Sequence, residues 1–182
     1  MIYCFLANGF EEIEAIAPID ILRRAELDVT VVGIGGLAVV GSHGIAVGAD
    51  ITDSEVGLPD DIEAVILPGG MPGTLNLGKH EGLCELLKKH YEAEKMIAAI
   101  CAAPSVFGEL GFLNGRIATC YPGFESKLEG AIVCGAKVAV DGHVVTSRGL
   151  GTAIDFALKL IELLKDLETS SQISDAIIYR QY

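Results

Sequence analysis

Residues 96–110 read "MIAAICAAPSVFGEL", a stretch in which a buried strand turns directly into a helix. The apolar run 96–100 is typical of a strand buried on both faces, and the helical pattern that follows has Pro104 in its first turn. Cys101 lies at the junction, where an elbow between strand and helix can present a nucleophile above a sheet edge. The helix start would lower the pKa of this thiol. A cysteine that only fills core space fits the same stretch equally well.

Strand and helix patterns alternate along the rest of the chain, which predicts a mostly parallel sheet covered by helices on both faces. Such a sheet belongs to the doubly wound α/β class. Strand patterns cover residues 2–7, 28–34, 63–70 and 96–100, and helical patterns cover residues 9–25, 81–95, 103–113 and 152–166.

Shorter signals complete the predicted architecture. Glycines interrupt Val/Ile runs over 37–53, which indicates a small hairpin and an extended excursion. Asp141-Gly142 predicts a tight turn between the last two strands. Thr169 and Gln172 fit a capping box for a last short helix.

Composition limits the classes of function. The chain has 182 residues, of which 51% are hydrophobic, so we expect one domain over 1–182. A net charge of -12 argues against nucleic acid and anionic membranes as partners. The sequence lacks a membrane-length apolar run and a signal-peptide pattern, which predicts a cytoplasmic protein. Five cysteines without zinc-site spacing predict free thiols and no metal.

The segment "ILPGG" gives Cys101 possible hydrogen-bond donors. A strand that ends in Pro68, Gly69 and Gly70 forms a turn whose backbone N–H groups are unhindered. Together with the N–H of Ala102, these groups could form an oxyanion hole. An ordinary glycine turn is the alternative.

The segment "NGFEEIEAI" places three carboxylates after the first strand. Two of them fit the usual compensation of a helix N-terminus by acids. Glu14 lies among Ile13, Ala15 and Ile16, so its side chain can point inward. Residues at the carboxyl ends of neighbouring parallel strands converge on one crevice, so we expect Glu14, Gly70 and Cys101 to meet there.

Four segments together resemble the ThiJ/PfpI superfamily, and specifically its DJ-one branch, which includes the Parkinson-disease protein deglycase. The resemblance covers essentially all 182 residues, with the segments in family order and spacing. It implies a flavodoxin-like three-layer sandwich, a homodimer, and a reactive cysteine on a nucleophile elbow. The segments are "FEEIEAIAPIDILRRA" (10–25), "VILPGG" (65–70), "AAICAAP" (98–104) and "TSRGLGTAIDFAL" (146–158).

The resemblance implies a role for each matching residue. Cys101 matches the nucleophile, and Glu14 matches the acid that forms a hydrogen bond with it. The backbone around the sulfur corresponds to Gly69, Gly70 and Ala102, and a pocket-rim arginine corresponds to Arg148.

Two rim positions depart from the branch. His43 stands where arginine is common, which weakens the case for anion binding, and Tyr121 stands where members carry histidine or another aromatic residue. Cys120, beside Tyr121, is a further thiol at the predicted rim. Leu150 replaces a proline that is common between the glycines after "SR".

The resemblance implies a cysteine-dependent glyoxalase or deglycase that needs no cofactor and acts on a small aldehyde or a glycated protein. We expect Glu14 to be protonated and to donate to the thiolate, since an ionised carboxylate beside Cys101 would repel the sulfur charge. Ala102 stands where the peptidase branch carries histidine, which argues against a protease. A glutamine amidotransferase needs a His-x-Glu after the cysteine, and the chain has that spacing only upstream, at 90–92.

A different class of function uses the same thiol. In a peroxide sensor or a redox-regulated chaperone of an oxidative stress response, peroxide would oxidise Cys101 to a sulfinate that Glu14 stabilises. The sequence leaves this alternative open.

Overall fold

A seven-stranded sheet forms the centre of the molecule in the computed structural model, which describes residues 1–57 and 62–179. Numbered along the chain, its strands are β1 (Ile2–Leu6), β2 (Val29–Gly33), β5 (Ile51–Thr52), β6 (Ala64–Leu67), β7 (Met96–Ile100), β10 (Val138–Asp141) and β11 (Val144–Ser147). They pair in the order β10-β11-β7-β6-β1-β2-β5.

The sheet is parallel except at one edge, where β10 and β11 form an antiparallel hairpin around the predicted turn at Asp141 and Gly142. Two short pairs lie apart from it. The first, antiparallel, is β3 (Ala38–Val40) with β4 (Ala46–Gly48), and the second, parallel, is β8 (Ile117–Ala118) with β9 (Ile132–Val133). The predicted hairpin within 37–53 is confirmed, and β5 continues from it to pair with β2.

Helices cover both faces of the sheet. The helices are α1 (Glu12–Arg24), α2 (Gly73–Lys79), α3 (Glu81–Glu92), α4 (Pro104–Glu109), α5 (Ala153–Leu164) and α6 (Leu167–Ala176). Among residues 1–57 and 62–179, none is long and apolar enough to cross a membrane.

Alternate residues of each central strand enter two separate hydrophobic cores. Cys4 and Leu6 of β1 pack in one core with residues of α1 and α5 such as Leu22 and Phe156. Phe5, between them, packs in the other core with residues of α3 and α4. Because strand side chains alternate between faces, a strand buried on both sides is apolar throughout. The predicted flavodoxin-like three-layer sandwich is confirmed.

Two local predictions differ from the structure, and one helix was not predicted. The capping box at Thr169 and Gln172 is wrong, because the Asp166 side chain accepts from the backbone N–H of Thr169 at 2.6 Å and α6 begins at Leu167. Helix α4 is shorter than the predicted helix over 103–113. No helix was predicted over α2, whose two glycines in seven residues disfavour one.

Alanine substitutions at the two glycines of α2 should change the free energy of unfolding in opposite directions. A Cβ at Gly73 would lie 2.5 Å from the backbone N of Phe10, which cannot give way, whereas a Cβ at Gly78 would meet Val106 at an ordinary 3.5 Å. We expect Gly73→Ala to lower the free energy of unfolding by about 1–3 kcal/mol through overpacking. Gly78→Ala should raise it by about 0.5–1 kcal/mol because alanine favours the helix. Urea unfolding measures both, and equal effects would contradict the packing described.

Candidate active site

Three neighbouring strands place the central residues of the site. Cys101 directly follows β7, Gly69 lies two residues after β6, and Glu14 belongs to the first turn of the helix that follows β1. Because β7, β6 and β1 are adjacent and parallel, their carboxyl ends meet at one edge of the sheet. The convergence expected for Glu14, Gly70 and Cys101 is present.

The elbow at Cys101 has an unusual backbone conformation. Cys101 has a φ of +67°, in the left-handed region that a residue with a Cβ enters at a cost of about 1–2 kcal/mol. Two backbone hydrogen bonds hold it there. The N–H of Cys101 donates to the carbonyl of Ser147 at 2.9 Å, and the N–H of Tyr121 donates to the carbonyl of Cys101 at 2.8 Å. The elbow is therefore fixed from two other segments of the chain.

Gly69 lies between the cysteine and the acid. A Cβ built on it would lie 2.5 Å from the Cβ of Cys101 and 2.6 Å from Oε2 of Glu14. Its backbone N–H donates to that same Oε2 at 3.2 Å. Any larger residue at position 69 would therefore push apart the two side chains that meet across this glycine.

The first turn of α1 is fastened to the loop after β6. The N–H of Glu11 donates to the carbonyl of Gly69 at 2.9 Å, and the carboxylate of Glu11 caps the helix by accepting from the N–H of Glu14 at 2.8 Å. Gly70 has a φ of +91°, and a Cβ there would lie 2.3 Å from the N of Glu11. This contact of backbone on backbone sets the position of Glu14.

Glu14 and Cys101 form a buried, hydrogen-bonded pair. Glu14 is 1% exposed and Cys101 is 9% exposed. Burial raises the pKa of Glu14 to about 7, even though hydrogen bonds from Cys101, Gly69 and Leu150 favour the carboxylate. Burial also raises the pKa of Cys101 to about 12, and the negative charge of an ionised Glu14 adds to the rise.

The pair therefore shares one proton over a wide pH range. While Glu14 is ionised the proton stays on sulfur, so the lowered pKa expected from the helix start alone is wrong for that state. Burial and the neighbouring carboxylate outweigh the helix, which is only six residues long. A thiolate forms without adding a second buried charge only when the proton moves to Glu14, and the pair titrates as a unit.

The backbone donors divide between the two side chains. The N–H groups of Gly70 and Ala102 donate to the sulfur and favour the thiolate, whereas the N–H of Gly69 donates to Glu14. All three predicted backbone groups thus reach the pair, two at the sulfur and one at the carboxyl group.

The predicted rim residues lie at different distances from the pair. Tyr121 is close to it, since its backbone bonds to Cys101 and its Cδ2 would lie 3.1 Å from a Cβ at Gly149. Cys120 is buried in the core that contains α3 and α4. Arg148 is half-buried and lies near Gly135 and Cys120.

His43 lies against the first turn of α1. Its backbone N–H donates to Oε1 of Glu12 at 2.7 Å, and its Nδ1 lies 2.8 Å from Oε2 of that residue. Burial alone would raise the pKa of Glu12, but the hydrogen bonds from His43 and its neighbours lower it to about 2. Sequence reasoning assigned Glu12 only to helix compensation and missed this contact.

Glu11, Glu12 and His43 bring three possible metal-ligand atoms within 4.8 Å of one another. Glu11 caps α1 through Oε2, and both oxygens of Glu12 accept from the turn between β3 and β4. The cluster therefore fastens this turn to the helix.

A buried thiol on an elbow between a strand and a helix, hydrogen-bonded to a carboxyl group of α1 at the edge of a mostly parallel sheet, places the chain in a class of α/β proteins. The model of the DJ-1/PfpI family matches residues 1–163. The chain belongs to this family.

Named relatives span most of the chain. This chain is 38% identical over 179 residues to Protein DJ-1 homolog B of Arabidopsis thaliana, and the match covers 96% of this chain but 40% of the relative. The chain spans less than half the length of this relative and of Protein DJ-1 homolog A of the same plant. A deglycase of Pyrococcus abyssi is 35% identical over 162 residues, covering 87% of this chain and 96% of the relative. The solved structure of oxidized Toxoplasma gondii DJ-1 is 37% identical, with a TM-score of 0.94 and 98% coverage of each chain.

The pKa values of Glu14 and Glu12 are shifted in opposite directions, so these residues should make the free energy of unfolding depend on pH in opposite ways. The folded pKa of Glu14 is raised, so its contribution to stability is present below its unfolded value of 4.5 and is lost as pH rises through about 7. We expect the unfolding free energy of Glu14→Gln, relative to wild type, to improve as pH rises from 4.5 to 7.

Glu12→Gln is the matched control. The folded pKa of Glu12 is lowered to about 2, so its contribution is present above 4.5 and is lost as pH falls. This variant should therefore be less stable than wild type at every pH above 4.5. Urea unfolding across this range measures both, and a Glu14→Gln effect that does not change with pH would contradict a buried, proton-bearing Glu14.

Proposed function

We propose that the chain is a cysteine-dependent, cofactor-independent glyoxalase or protein deglycase that acts on 2-oxoaldehydes or on their early protein adducts. The observation that carries this proposal is the hydrogen-bonded pair of Cys101 and Glu14 across Gly69, with two backbone N–H groups on the sulfur. Membership of the DJ-1/PfpI family and a relative named as a deglycase support it.

The reaction begins with the proton on Glu14 and the charge on Cys101. The sulfur adds to the aldehyde carbon of a 2-oxoaldehyde such as methylglyoxal, forming a C–S bond. Glu14 gives its proton to the oxygen that becomes a hydroxyl, so the step ends with a carboxylate beside a neutral hemithioacetal.

The carboxylate then acts as a base. Glu14 removes the hydrogen from the carbon bound to sulfur, and the resulting enediol takes a proton at the neighbouring carbon to give a thioester of a 2-hydroxy acid. Water hydrolyses the thioester and returns the thiol. The sum is methylglyoxal plus water giving lactic acid, which requires no external oxidant or reductant.

A redox sensor is the second candidate, because a relative of known structure is described as oxidized. One hydroperoxide would convert the Cys101 thiolate to a sulfenate with release of water or alcohol, and a second would give the sulfinate. A protonated Glu14 would donate to that anion as it does to the thiolate. Mass spectrometry of Cys101 after mild peroxide, compared with turnover of methylglyoxal, separates the two functions.

We also propose that two copies of the chain form a homodimer, as the family resemblance implies. An open groove of about 440 Å³ lies between α1, α5 and α6, and its walls include Ile21, Ile154 and Ile177. Ile13 and Ile16 of α1 are also exposed. These apolar side chains are the kind of surface that a subunit interface covers. A monomer mass in sedimentation equilibrium would contradict the homodimer.

Cys101→Ala tests the enzyme directly. We expect it to abolish the conversion of methylglyoxal to lactate without added glutathione, because no nucleophile then remains at the elbow. Cys84→Ala, on α3 and outside the site, should keep the wild-type rate. Both variants should sediment with the wild-type mass, which controls for folding. Lactate formation retained in Cys101→Ala would overturn the proposal.

A further inference from the structure

Three residues whose backbone lies next to the buried pair carry exposed apolar side chains. Met71 is 45% exposed, Tyr121 is 50% exposed and Leu150 is 51% exposed. They come from three separate loops, which follow β6, β8 and β11. Large apolar side chains from distant parts of a chain around a few polar groups are a feature of ligand sites.

Backbone hydrogen bonds tie Tyr121, Leu150 and the residue before Met71 to the pair. Met71 follows Gly70, whose N–H donates to the sulfur of Cys101. The N–H of Tyr121 donates to the carbonyl of Cys101 at 2.8 Å. The N–H of Leu150 donates to the carboxyl group of Glu14. Their positions are therefore fixed relative to the reacting atoms.

The ring of Tyr121 reaches close to the acid. A Cβ built at Gly149 would lie 3.1 Å from Cδ2 of Tyr121 and 3.6 Å from Oε1 of Glu14. The missing side chain at Gly149 thus leaves the ring and the carboxyl group as neighbours, and a substrate bound at Glu14 would contact the ring.

The carboxylate of Glu11, close to the pair, disfavours an anion there. Burial is the main cause of the raised pKa of Glu14, and the carboxylate of Glu11 adds to it by repulsion. The guanidinium of Arg148 lies beside Gly135, with Nη1 3.8 Å from the Cβ position there. The whole chain carries a net charge of -12.

We propose that Met71, Tyr121 and Leu150 form an apolar collar that selects 2-oxoaldehydes R–CO–CHO in which R is aromatic or bulky and apolar, over those in which R is charged. This inference rests on the proposed function and names its substrate class. The net reaction is unchanged: the 2-oxoaldehyde takes up one water and gives the 2-hydroxy acid R–CHOH–COOH.

The preference for an apolar R group would come from its contact with the side chains of the collar. Contact with three exposed apolar side chains removes both surfaces from water, and an aromatic R group gains a ring contact with Tyr121. A carboxylate on the same R group would lose water near the carboxylate of Glu11, while the ring of His43 is already paired with Glu12, with Nδ1 2.8 Å from Oε2.

The first measurement compares two substrates with the same ring. In the wild-type protein, kcat/KM for phenylglyoxal should exceed that for 4-carboxyphenylglyoxal by about tenfold or more, on the scale set by apolar pockets and desolvated charges. Equal values for the two substrates would overturn the proposal.

The second measurement uses variants and a ratio that cancels intrinsic reactivity. We expect Tyr121→Ser and Leu150→Ser to lower the ratio of kcat/KM for phenylglyoxal to that for methylglyoxal by about threefold to tenfold, the usual range for a ring or an aliphatic contact. Leu163→Ser, which removes an exposed leucine on α5 away from the site, should leave the ratio unchanged.

The outcomes separate the two levels of inference. If both aldehydes are converted but neither collar variant changes the ratio, the collar is wrong and the glyoxalase proposal stands. If wild-type protein with an alkylatable Cys101 converts neither aldehyde, the proposed function fails and the collar fails with it.

Discussion

The missing side chain at Gly69 is the constraint on which the site depends. A Cβ there would lie within 2.6 Å of both Cys101 and Glu14, so only glycine lets the two side chains meet. The neighbouring glycines extend the same principle, since Gly70 and Gly73 bring the loop after β6 into backbone contact with residues 9–11. The close approach of two backbones thus holds the acid of α1 against the elbow after β7. The order of the sheet supplies the proximity, and the glycines supply the fit.

A shared proton follows from this fit. Two ionisable groups in contact and out of water cannot both carry a negative charge cheaply, so burial keeps a proton on the pair after an exposed glutamate would have lost its own. The backbone donors influence which of the two groups carries the negative charge. The N–H groups of Gly70 and Ala102 favour charge on sulfur, and those of Gly69 and Leu150 favour charge on the carboxyl oxygens. The two arrangements differ only in the position of one proton, which suits a group that acts first as acid and then as base. The same arrangement would provide a thiolate for oxidation, so the two proposed functions rest on one physical feature.

The sequence predicted the sheet and the central pair for reasons that the structure makes explicit. Apolar runs mark strands buried on both faces. Three adjacent strands end at the site: "AAICAAP" spans the end of β7, "ILPGG" spans the end of β6, and Glu14 lies on the helix that follows β1. Local pattern failed where tertiary contacts decide. Helix α2 carries two glycines and is held by packing on Gly9 and Phe10, and Asp166 replaces Thr169 as the cap of α6. The role of Glu12 depends on a turn that begins 29 residues later at Gly41, and the raised pKa of Cys101 depends on burial that no single segment reveals.

The rate of alkylation of Cys101 as a function of pH, in wild type and in Glu14→Gln, measures the shared proton most directly. Alkylation reports the thiolate. Once the pair has lost its first proton, near pH 7, the one that remains can sit on Glu14 and leave a thiolate at Cys101, so the wild-type rate should rise there and then stay level. In Glu14→Gln the carboxyl group can no longer take the proton, and burial should move the rise to or above the ordinary cysteine pKa of 9.0. A wild-type rise at that ordinary value, unchanged by the substitution, would show that Cys101 titrates alone and would contradict the coupled pair.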